Sequence, residues 1–137
     1  PYDQVVEMIV NDIDAVKGVM KNPFFAICPL SNIFIHNALP PIELMRENAL
    51  DIALGTDSLS SNDDLDMMKE LICLHDNFPQ VPMHELFTWA CLNGARFLGK
   101  ETVFGSLTSG KRPGIVRVTD IDAEGYVTRN SRSKRII

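Results

Sequence analysis

Cysteine is scarce. The 137-residue chain has three, Cys28, Cys73 and Cys91, at wide spacings and with no CxxC pair, which excludes a disulfide framework and a thiolate zinc finger. That usage suits a reducing, cytoplasmic setting. Long hydrophobic runs are also missing. No stretch approaches the roughly 18 apolar residues that span a bilayer, and the opening Pro1-Tyr2-Asp3-Gln4-Val5-Val6-Glu7-Met8 has neither a basic n-region nor a cleavage site. Neither a membrane nor a secretory role is expected. Positive charge is short through most of the chain, since six basic and 15 acidic residues precede Gly110, a net of -9. An acidic body offers no continuous positive face to a phosphate backbone, so nucleic acid is not an expected partner. The tail from Gly110 carries +4, from seven basic and three acidic residues, and the run Arg129 to Arg135 reads as a solvated β-edge whose charge discourages aggregation.

What is present fits a globular protein: 45% hydrophobic and 23% charged residues, with length enough to bury about two thirds of the unfolded surface. There is no internal repeat and no low-complexity tract. A helix is predicted over Asn11 to Asn22, capped by Asn11, with Ile13, Val16 and Met20 on one face. Phe24 to Ile27 is an apolar run without alternation, as in a strand covered on both faces of a parallel sheet. The segment Pro29 to Pro40 reads as a loop, and Pro41 opens a short helix, Ile42 to Asn48. The strand Asp51 to Leu54 completes a βαβ unit. A longer helix, capped by Ser61 or Asn62, runs to about Asp76 with Leu65, Met68, Ile72 and His75 on one stripe. The helix from Met83 carries Phe87, Ala90 and Gly94 on its stripe. Beyond Gly99, Ile115 to Val118 and Tyr126 to Thr128 are β-like pieces between glycine-rich turns.

In parallel α/β folds, the site forms where strands end and loops converge. Two motifs hold such ends: Cys28-Pro29-Leu30-Ser31-Asn32, and Gly55-Thr56-Asp57-Ser58-Leu59-Ser60-Ser61-Asn62. Asp57 follows a buried strand and is the leading functional carboxylate, against its alternative as a turn former. Ser58, Ser61 and Asn62 read as loop and cap residues. Cys28, Cys73 and Cys91 read as core thiols, His75 and His84 as helix residues, and Asp63, Asp64 and Asp66 as acids at a helix N-terminus.

These two motifs resemble the last two barrel strands of the amidohydrolase superfamily, in the branch of chlorohydrolases and guanine deaminase-like aminohydrolases. The likeness extends through Trp89-Ala90-Cys91-Leu92-Asn93-Gly94-Ala95-Arg96-Phe97-Leu98-Gly99 and a G-S-x-x-x-G-K turn from Gly105 to Lys111. It implies the C-terminal portion of a TIM (β/α)8-barrel: residues 1–104 would be the last strands and helices, and 105–137 short returning strands of a β-sandwich. It also implies hydrolysis of a C–N or C–Cl bond of a small heterocyclic substrate by metal-activated water. Asp57 would be metal ligand and proton shuttle, Ser31 and Asn32 pocket residues, and His36 a substrate contact. The metal would be divalent, zinc first, with iron or manganese as alternatives. The family's His-x-His pair has no counterpart, and Val5 to Asn11, where its sixth strand would end, contains no histidine. The chain alone is therefore expected to be inactive, to lack its metal, and to self-associate through strand edges that a missing N-terminal barrel half would cover. The alternatives are a non-catalytic α/β binding or regulatory module, and an Asp-phosphorylated receiver, which explains neither motif.

Overall fold

The computed structural model describes the backbone of residues 2–137 and the side chains of residues 11–137. Two four-residue strands, β1 (Phe24–Ile27) and β2 (Asp51–Leu54), lie parallel with Phe24 opposite Asp51 and Ile27 opposite Leu54. Between them come α2 (Pro29–His36) and α3 (Ile42–Glu47), so the expected βαβ unit is present. Before it stands α1 (Tyr2–Val19). This helix takes in the stretch compared above with a sixth strand, and Asn11 lies inside it rather than at its cap. Ile13 is buried, but Met20 lies past the helix end and is exposed.

The predicted loop after β1 is helical. Pro29 occupies the first turn, where a missing N–H costs nothing, and Asn37 closes α2 in the left-handed conformation (φ 50°), donating its N–H to Ile33 O. The coverage expected for β1 is incomplete: Ile27 is buried, Phe24 and Phe25 are half-buried and Ala26 is exposed. β2 is the better covered strand, with Ile52, Ala53 and Leu54 all buried.

The helix after β2 starts later than predicted. α4 spans Met67–Asn77 and is capped by Asp66, whose carboxylate accepts the Met68 N–H. Ser61 and Asn62 are used elsewhere, and Leu65 is exposed. The inward stripe is Met68, Leu71 and Leu74, which join Ile42, Ile52, Val81, Leu86 and Trp89 in one core. α5 (Met83–Phe87) continues through a wide π-helical turn (Thr88–Asn93) into α6 (Gly94–Phe97). Leu86, Trp89 and Asn93, rather than Phe87, Ala90 and Gly94, are the residues buried by this face, a stripe of the same helical spacing displaced by one residue. Cys91, expected in the core, is exposed.

The Gly55 N–H donates to Ile27 O. Odd-numbered β2 residues therefore face β1, and Ile52 turns its peptide group to the opposite edge. There the Asn93 amide donates to Ile52 O at 2.7 Å. In the tail, β3 (Val116–Thr119) pairs antiparallel with β4 (Arg132–Arg135), the solvated strand foreseen in the basic run. Tyr126 to Thr128 forms no strand but docks the tail: Val127 enters the core, and the Tyr126 ring stacks on His75 with centroids 5.1 Å apart.

Candidate active site

Parallel pairing of β1 and β2 brings their C-terminal ends side by side, so the residues beyond each strand share one rim. From β1, Cys28 and Pro29 lead directly into α2, which seats Ser31 in its first turn, almost fully buried. From β2, Gly55 and Thr56 lead to Asp57, which is exposed and left-handed (φ 57°). A non-glycine residue in that region is uncommon, with Asp and Asn its usual occupants. The Cys28 thiol packs where a Gly55 side chain would have to go, since a Cβ there would lie 3.2 Å from Sγ.

Three side chains meet at this rim. Ser61 Oγ donates to Asp57 Oδ2 at 2.6 Å, Ser31 Oγ lies 2.9 Å from the same oxygen, and the two hydroxyls are 2.9 Å from each other. Each hydroxyl has one proton, so Ser61 serves the carboxylate and Ser31 divides between the carboxylate and Ser61. Donation from Ser61 and then Ser31 holds the Asp57 carboxyl below the usual carboxylate range. The result is an ionised group presented to solvent at the strand ends. Burial pushes the neighbouring Cys28 thiol up, against a backbone hydrogen bond from Asp57 that lowers it and with the charge of Glu70 adding to the rise, so Cys28 is no ready nucleophile.

Ser31 and Asp57, named from sequence, are thus joined directly. Asn32 is half-buried and lines a different hollow, between α1, β1 and α3, together with Ile13, Val16 and Met45. His36 is exposed in the last turn of α2. His75 stacks on Tyr126 and His84 is exposed on α5. Among the described residues no three His, Cys, Asp or Glu side chains gather closely enough to hold a metal ion. A hydrolytic metal needs about three protein ligands, and Asp57 offers one, so these residues do not fit a metal by themselves.

One residue of this region has no forewarning in the motifs. Glu70 is completely buried, its Oε2 accepts the Leu30 N–H at 2.9 Å and its Oε1 accepts from Asn62 Nδ2 at 2.7 Å. Burial raises its pKa above the ordinary value, and the Leu30 and Asn62 donors oppose that rise. Spacing gives no signal for it either, because Glu70 lies off the expected stripe of Leu65, Met68, Ile72 and His75.

The sequence profile of the amidohydrolase family matches residues 4–131. A 5-methylthioadenosine/S-adenosylhomocysteine deaminase of Moorella thermoacetica is 36% identical over 100 residues, 68% of this chain and 23% of its own length. A 5'-deoxyadenosine deaminase of Methanosarcina acetivorans is 33% identical over 97 residues, 66% of this chain and 22% of its own. Among solved structures, an adenosine deaminase from Xanthomonas campestris with bound zinc superposes with a TM-score of 0.62 at 29% identity, covering 69% of this chain and 23% of that one. The chain spans about a quarter of the length of the relatives it matches.

Proposed function

The chain belongs to the amidohydrolase family, and from that premise we propose that it supplies the catalytic carboxylate of a metal-dependent deaminase acting on a small, nucleoside-like heterocycle. On this reading residues 1–104 are the last strands and helices of a (β/α)8-barrel, and residues 105–137 belong to a β-sandwich. The observation that carries the proposal is the Asp57 carboxylate, ionised and fixed by Ser31 and Ser61 at the C-terminal ends of two parallel strands. Deamination is favoured over C–Cl hydrolysis because the similar proteins are named as deaminases of adenosine-type compounds.

Hydrolytic deamination needs a base to take a proton from water and return one to the departing amine. Asp57 is ionised and exposed, the state in which it can accept that proton. Ser31 and Ser61 bind Oδ2 and so fix which way the carboxylate faces. Zinc or another divalent ion would lower the pKa of the attacking water, but among the described residues Asp57 has no companion ligands. The chain alone is accordingly read as inactive. Asn32 and His36 are read as pocket residues that the missing barrel strands would bring into play.

The test is to place residues 4–131 in a polypeptide that restores the N-terminal barrel strands, load it with zinc, and follow ammonia release from aminated heterocycles and chloride release from chlorinated ones. Aminated purine nucleosides should turn over, and Asp57→Asn and Asp57→Ala should abolish turnover without unfolding the protein. Near-parental activity in both variants would refute the role of Asp57.

A further inference from the structure

Behind the exposed Asp57 and its buried partners Ser31 and Ser61 lies a second polar layer, centred on the fully buried Glu70. Glu70 binds the Leu30 N–H and the Asn62 amide, and the same Asn62 nitrogen donates to Thr56 O at 2.9 Å. Each partner in this buried layer is the chain neighbour of one member of the outer cluster. Leu30 precedes Ser31, Thr56 precedes Asp57, and Asn62 follows Ser61. A carboxylate at this depth is not explained by the helix dipole, which an exposed acid would serve equally well. Nor is it part of a capping box, whose third helical position is held here by Lys69. Burying a charge is costly unless its partners are in place, and here both oxygens are met.

We propose that Glu70 is a positioning residue for Asp57: bridged through Asn62, it clamps the end of β1 to the end of β2 so that Ser31 and Ser61 stay within reach of the Asp57 carboxylate. The inference rests on the catalytic role proposed for Asp57, but it concerns geometry and is measured without turnover. Glutamine cannot replace Glu70, because its amide presents a donor to one of the two donors already there.

The experiment is NMR of the intact chain at neutral pH, reading amide exchange at Leu30 and the carboxyl carbon of Asp57. Three variants are compared with the parent: Glu70→Gln, Asn62→Ala, and Leu86→Ala as a core-destabilised control remote from both layers. Glu70→Gln should speed Leu30 exchange by about tenfold, the loss of one charged hydrogen bond, and shift the Asp57 carboxyl resonance. Asn62→Ala should shift Asp57 while leaving Leu30 protected, which keeps the test open if Glu70→Gln does not fold. Leu86→Ala lowers global stability and so speeds exchange generally, but should leave the Asp57 resonance in place. An unmoved Asp57 resonance in both polar variants, or an equal shift in the core control, would overturn the positioning role even if Asp57→Asn abolishes turnover. Persistence of activity in Asp57→Asn would instead remove the catalytic reading and leave the clamp standing.

Discussion

Replacing Gly105 by alanine is expected to destabilise the chain by about 2–5 kcal/mol, from two causes that can be separated. Gly105 opens the turn that leads from the closing helix into the tail, with φ at +85°. An alanine in the left-handed region costs roughly 1–2 kcal/mol. Its Cβ would also lie 2.8 Å from Ala95 Cβ, 2.8 Å from Leu92 Cα and 3.0 Å from Cys91 O. Two of these three neighbours are helix backbone and cannot swing away, so overpacking adds about 1–3 kcal/mol. Gly110 is the control, because it has φ +90° but nothing within 4 Å of the place an added methyl group would take, and Gly110→Ala should lose the backbone part alone. Urea unfolding followed by the single tryptophan, the buried Trp89, provides the assay. With a slope of about 1–3 kcal/mol per molar urea, the Gly105→Ala midpoint should fall by about 1 M or more. Adding Ala95→Gly removes one of the three close contacts and should recover only part of the loss. Equal costs for Gly105→Ala and Gly110→Ala would refute the steric half of the reasoning.

Two further outcomes concern titrating groups. Because burial raises the Glu70 pKa in the folded chain, the folded state keeps that proton to higher pH than the unfolded state. The stability tied to it is full below the ordinary carboxylate range and is lost as pH rises through the raised value. Denaturation midpoints of the parent should therefore decline between acid and neutral pH more than those of Glu70→Gln, and parallel curves would contradict the assignment. Cys73, half-buried on α4 near Glu70 and Asp76, is pushed up to about 11. At pH 8 about a thousandth of it is thiolate, so mass-spectrometric mapping should find it alkylated far more slowly than free cysteine, and modification at the free rate would show that the site is open.

The parts of the fold legible in the sequence are those with punctuation at both ends. β1 lies between Pro23 and Pro29, β2 ends at Gly55, and α3 begins after Pro41. The same logic applied to Pro29 reveals α2, since a proline after an apolar run opens a helix as readily as it opens a loop. The start of α4 is ambiguous in the sequence because Ser61, Asn62 and Asp66 are all good cap residues, and propensity alone does not choose among them. Tertiary structure chooses, by committing Ser61 to Asp57 and Asn62 to Thr56 and Glu70. Asp57 is readable from its place after a buried strand, and Ser31 from the motif one crossover upstream. Glu70 is not, because a charged residue on an amphipathic helix is ordinarily assigned to the wet side. The inward stripe of the closing helix is misplaced by one residue because two neighbouring stripes, Phe87-Ala90-Gly94 and Leu86-Trp89-Asn93, have the same helical spacing, and the second ends on the polar Asn93, which is buried only because its amide meets Ile52 O.

The wide π-helical turn makes chain length, more than residue identity, the quantity on which this segment depends. Inserting one further residue between Thr88 and Asn93, where the turn is already one residue wide of an ordinary helix, would swing everything downstream by about 100°. The carboxamide that now rests on the margin of β2 would point elsewhere, and the bed on which Gly105 lies would turn away with it. Substitutions at the partly exposed Thr88, Ala90 and Cys91 act locally, whereas a change of a single codon in the count would disturb the sheet margin and the tail together.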